Sequence, residues 1–134
     1  MKALRYLLAA FFSAAGILHF LRPAPYEAIV PPFVPLAHEM VLVSGAAELA
    51  GGLALLPERS RPLAFWWLTA LLVAVFPANI YMAISPEEIR GLPQTDLMKV
   101  ALWLRLPLQA VLVYALWKAT RPAPGRLARL RPGD

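Results

Sequence analysis

Glu48 and Arg105 each lie well inside a long apolar run. An ionisable group in such a place costs at least a few kcal/mol, so it needs a partner or a purpose. Glu48 stands about twelve residues into a run that starts near Leu36, and Arg105 about eight residues into one that starts near Leu97. If both runs are helices entering from the same face, a rise of 1.5 Å per residue sets the two groups about 6 Å apart in depth. An arginine side chain bridges that gap. The spacing predicts a Glu48–Arg105 ion pair facing inward. Such a pair either fixes helix register alone or poises a carboxylate for proton handling.

More polar groups fall at a similar depth. Asn79 follows Pro77, and Tyr81 comes two residues later. Gln109 lies one helical turn from Arg105, on the same face at i, i+4. Pro107 and Pro77 should kink their helices here and free backbone carbonyls. His19, near the outer end of the first run, joins from above. The set predicts a polar cavity in the outer half of a small bundle. His38 and Glu39 open the second run, where solvent satisfies them, and are assigned no site. Two histidines and scattered carboxylates show no metal-ligand spacing, so no metal is expected. Trp66, Trp67, Trp103 and Trp117 read as lipid-facing or interfacial anchors. The small residues from Ser44 to Gly52 read as a packing surface that turns Glu48 toward the core.

Four apolar runs would position these groups: about residues 3–21, 36–56, 62–84 and 97–117. Each approaches or exceeds the roughly 20 residues that cross a bilayer as a helix. The expected fold is all-α, an integral membrane four-helix bundle forming one transmembrane domain over residues 1–120. A basic tail, 121–134, is expected to be disordered. Pro57 to Arg61 reads as a tight polar turn. The stretch from Arg22 to Pro35 holds five prolines and reads as extended or irregular, with an apolar side (Tyr26, Ile29, Val30, Phe33) laid against the bundle mouth. Lys2, Arg5, Arg59, Arg61 and the five basic residues from Lys118 onward fall on one side; Arg22, Arg90 and Lys99 fall on the other. The positive-inside rule then places both termini in the cytoplasm. The first run continues past Ser13, Ala14 and Ala15, so it reads as a span, not a cleaved signal peptide.

Composition supports this frame. The chain of 134 residues is 60% apolar and 16% charged, with mean hydropathy +0.60, against about 45–50% and about 25% in soluble domains. That excludes a disordered chain. With no cysteines, disulfide scaffolds, thiol chemistry and thiolate metal sites are excluded too. The net charge of +5 comes from residues flanking apolar runs and crowding the tail, which argues against nucleic acid as a partner.

Four segments together resemble the DoxX-like family of small four-helix bacterial membrane proteins: GILHFLRPAPYEAIVPP from Gly16, SGAAELAGGLALL from Ser44, FPANIYMA from Phe76 and LRLPLQ from Leu104. The resemblance implies a multi-pass protein of the plasma (inner) membrane. It carries over polar positions at His19, Pro23, Tyr26, Glu48, Asn79, Arg105 and Gln109, adding the two loop residues Pro23 and Tyr26 to those found above. It also implies association with redox complexes.

The leading expectation is a redox-associated protein whose cavity binds a quinone or a similar amphipathic molecule. Arg105, Gln109 and Asn79 would donate hydrogen bonds to its oxygens, and Glu48 or His19 would handle protons. No intrinsic cofactor signature is present, so electrons must come from a redox partner protein. The rival is a non-enzymatic membrane subunit or assembly factor whose polar network is structural and whose loop, Tyr26 to Phe33, docks a partner. A small transporter is disfavoured, because no inverted repeat gives room for alternating access. Oligomerisation stays open.

Overall fold

The computed structural model describes residues 2–122. Among them it is all-α, with no strand. Four long helices, α1 (Lys2–Leu21), α3 (Ala37–Ala54), α4 (Arg61–Ile84) and α5 (Asp96–Thr120), are joined by a short helix α2 (Pro23–Ala28) and by single 3-10 turns at Glu58–Ser60 and Pro86–Glu88. Three segments, Lys2–Leu21, Glu58–Ile84 and Asp96–Thr120, are long and apolar enough to cross a membrane. α3 is shorter than its apolar run suggests, at 18 residues, and carries His38, Glu39 and Glu48.

The connections carry their own caps. Thr95 accepts a hydrogen bond from the Met98 backbone N–H at 3.1 Å and so starts α5. At the end of α3, Ser60 Oγ donates to Ala54 O at 2.7 Å, and Arg61 donates to the carbonyls of Leu55 and Leu56. These side chains satisfy carbonyls that a helix end leaves open. The proline-rich connection is not wholly irregular: α2 forms there because Pro23 and Pro25 fall in its first turn, where no N–H donor is needed. Its Ala28 and the adjoining Ile29 pack on the bundle, whereas Phe33 is 80% exposed. Of the expected tail, Arg121 stacks its guanidinium 3.9 Å over the Trp117 ring; residues 123–134 lie outside the described residues.

The long helices form a ring in which α1 packs on α3, α3 on α4, α4 on α5 and α5 back on α1. α3 and α5 therefore stand across the diagonal. The tightest seam is α1 against α3, and glycine makes it. A Cβ on Gly16 would lie 2.7 Å from both Gly45 O and Leu49 N, and one on Gly45 2.9 Å from Gly16 O. Gly52 similarly lets Ser13 and Ala9 approach.

Two apolar cores fill the ring at different heights. One gathers Leu8, Ala9, Phe12, Leu55, Ala64, Leu68, Leu116 and Ala119 near the chain termini. The other gathers Met82, Ala83, Ile89 and Leu102 at the far end, with Ala28 and Ile29 against it. His19, Glu48, Asn79, Arg105 and Gln109 fall between the two.

Candidate functional site

The α1–α3 seam builds the first part of this polar layer. His19 follows Gly16 by three residues and Glu48 follows Gly45 by three, so each polar group shares a face with the glycine that admits its neighbour. The His19 Cβ lies where a Cβ on Gly45 would go. His19 Nδ1 donates to Ala15 O at 2.7 Å. A carbonyl only accepts, so Nδ1 holds a proton, and Nε2 has no hydrogen-bond partner among the described residues. Glu48 Oε2 stands 3.6 Å from Nδ1, an ion-pair distance and too long for a hydrogen bond. The Tyr26 ring, delivered by α2, stacks on His19 with centroids 3.9 Å apart and planes within 19°. Burial pushes the Tyr26 phenol above its usual range; the Glu48 charge adds to the rise and the Arg105 charge opposes it. The Glu48 and Arg105 charges thus both reach Tyr26.

The second part joins α4 to α5. Asn79 Nδ2 donates to Gln109 Oε1 at 2.8 Å, and Gln109 Nε2 donates to Leu72 O. The carbonyl that Pro77 leaves without its i−4 donor is that of Val73; the acceptor used here is its neighbour, Leu72 O. Gln109 is buried and its amide is occupied on both ends. Asn79→Leu should strand Gln109 Oε1 and lower stability by about 1–3 kcal/mol; thermal unfolding in mild detergent measures this, and an unchanged midpoint would refute the tie.

Three expectations need correcting. Glu48 pairs with His19, not with Arg105, because the ring order places α3 and α5 diagonally. Arg105 is exposed, not covered in an ion pair: its Nη1 lies 4.0 Å from the sulfur of the buried Met82, and its charge reaches Tyr26. Tyr81 leaves the cluster and donates from its hydroxyl to Glu88 at 2.9 Å. Two positions along a helix are about 200° of rotation, so Asn79 and Tyr81 cannot share a face. The glycines of the 44–52 segment do pack, Gly45 on Gly16 and His19, Gly51 on Leu68 and Gly52 on Ser13; Gly16, outside that segment, is signalled only by its i, i+3 spacing to His19. All four tryptophans are exposed, yet Trp67 also donates to Ala47 O at 2.8 Å and clips α4 to α3.

A cleft of about 370 Å³ opens between α4 and α5, lined by Ala83, Ile84, Pro86, Glu87, Lys99 and Trp103, and includes none of the expected site residues. Among the described residues no three His, Asp or Glu side chains converge as metal ligands would. The chemistry the polar layer offers is therefore a stacked aromatic pair, a free imidazole nitrogen, a half-covered carboxylate and an unpaired guanidinium.

The chain matches one family model, over residues 8–120, described as a domain of unknown function, DUF8561. No curated protein matches the chain, and no solved structure does.

Proposed function

The chain belongs to the DUF8561 family, whose description names no activity, and from the polar layer we propose a four-helix integral membrane protein of the plasma membrane that binds a quinone or similar amphipathic molecule. α3 completes the bundle as a fourth span, since its small residues let it pack closely on α1. The basic residues put both termini on the cytoplasmic side. One observation carries the ligand reading. Arg105 is an exposed guanidinium in a helix apolar enough to cross a membrane, and among the described residues no carboxylate lies within ion-pair distance of it. Left in lipid it is costly; an oxygen acceptor brought by a ligand relieves that cost.

A quinone carbonyl is such an acceptor, and its flat ring suits the stacked His19–Tyr26 pair. His19 Nε2 and Glu48 are the proton-handling groups, and electrons come from a redox partner protein. The resemblance of the four segments to DoxX-like proteins supports the redox association. Gln109 and Asn79 drop out as ligand donors, because they are already satisfied. That same pair favours a second reading, a non-enzymatic subunit or assembly factor whose polar groups hold helices together. Native mass spectrometry of the mildly solubilised protein, with released molecules identified, separates the two. A stoichiometric quinone or related amphipathic molecule supports the first; a copurifying protein on an empty bundle supports the second.

A further inference from the structure

At the other end of the bundle α1 and α4 begin and α3 and α5 end. Here Arg5 is covered to the same degree as His19 and Gln109, at 9% exposed. Its Nε is enclosed and has no hydrogen-bond partner. Among the described residues no carboxylate lies within ion-pair distance of it. The Tyr6 ring, 5.6 Å from the guanidinium carbon, offers a weak cation–π attraction. The carbonyls of Leu116 and Trp117 in the last turn of α5 accept from Thr120 Oγ1.

A second cation lies at the same end: Leu4, next to Arg5, packs on the core that holds Ala64, one turn after Arg61, and the Arg61 charge is opposed by that of Arg5. Arg61 is itself engaged with the Leu55 and Leu56 carbonyls, and stands 3.9 Å from Glu58. A guanidinium keeps its charge at any ordinary pH. A covered one, unpaired and beside a like charge, is destabilising unless an anion joins it. The usual reason for a basic residue here, the positive-inside bias, asks only for exposed charge and does not explain why Arg5 is covered.

We propose that Arg5, with Arg61 beside it, forms a binding site for a phosphate group. The planar fork of Arg5 matches two phosphate oxygens, and Arg61 adds charge without needing to leave its carbonyls. On the membrane reading this end meets the cytoplasmic headgroup layer, where a phospholipid headgroup and free phosphate both present that chemistry. The site shares only its membrane placement with the proposed ligand site, and its test is independent of any quinone.

The experiment takes the full chain in neutral detergent and follows its thermal midpoint by tryptophan fluorescence. Three additives are compared: phosphatidylglycerol, a galactolipid with the same acyl chains and no phosphate, and inorganic phosphate. Phosphatidylglycerol should raise the midpoint by several degrees beyond the galactolipid, as a ligand specific to the folded state does. Arg5→Met should lose that increment. If inorganic phosphate alone reproduces it, the phosphate source is free in solution; if only the lipid does, it is a headgroup. The proposal is overturned if neither phosphate compound exceeds the galactolipid, or if Arg5→Met gains as much as wild type. Should Arg5→Met not fold, the comparison of additives on wild type decides alone.

Discussion

Gly16→Ala is expected to destabilise the protein by about 1–3 kcal/mol or more, the usual scale of overpacking. Two effects of opposite sign compete at this position. Within a helix, alanine is favoured over glycine by about 1 kcal/mol. Against that, the added methyl would lie 2.7 Å from Gly45 O and from Leu49 N, both backbone atoms that cannot rotate aside. The overlap wins, and α1 has to move off α3. Since the same seam sets His19 beside Glu48, the displacement should also separate those two groups. Thermal unfolding of Gly16→Ala beside Ala46→Leu, at an exposed site on α3, gives the comparison. A stabilised Gly16→Ala would mean that the helices are not in backbone contact.

Arg105→Ala is expected to weaken binding of the amphipathic ligand roughly tenfold to a hundredfold, the loss of a charge-assisted hydrogen bond worth about 1.5–3 kcal/mol. Its effect on the ligand-free thermal midpoint should be small, because the side chain is exposed and its hydrogen bond is a long one, to the Met82 sulfur. Glu48→Gln, close in shape, should likewise spare the fold while impairing ligand binding. The two readings of the polar layer part here. A structural network predicts a lower midpoint for either variant and no change in what copurifies; a ligand site predicts the reverse. Titration of the purified variants with a short-chain ubiquinone analogue, alongside unfolding curves, measures both quantities.

The helices were legible because apolar runs of this length leave little else for a chain to do, and both boundaries of every run fall within about three residues of the helix ends. The short α2 was hidden by its own prolines, which deter helix everywhere except in the first turn, where they lie. The polar layer was legible residue by residue and illegible as a geometry. Depth along a helix follows from counting, which is why Asn79 and Gln109, on neighbouring helices, do meet. Neighbourhood around the ring does not follow from counting, and Glu48 and Arg105, set about 6 Å apart in depth and bridged on paper, stand on diagonal helices. Tyr81 is a different case: the 200° between it and Asn79 was available from the sequence and excluded a common face.

Neighbours in this ring are also successive in the chain, except where α5 returns to α1. Every other seam can therefore close while synthesis proceeds from the N-terminus, α1 with α3 before α4 has left the ribosome. Leu8, Ala9 and Phe12 then wait for Leu116 and Ala119, about a hundred residues later in the chain, before their shared core is complete. The seam of α5 against α1 is therefore the last that can close, and until it does the face carrying Leu8, Ala9 and Phe12 stays open.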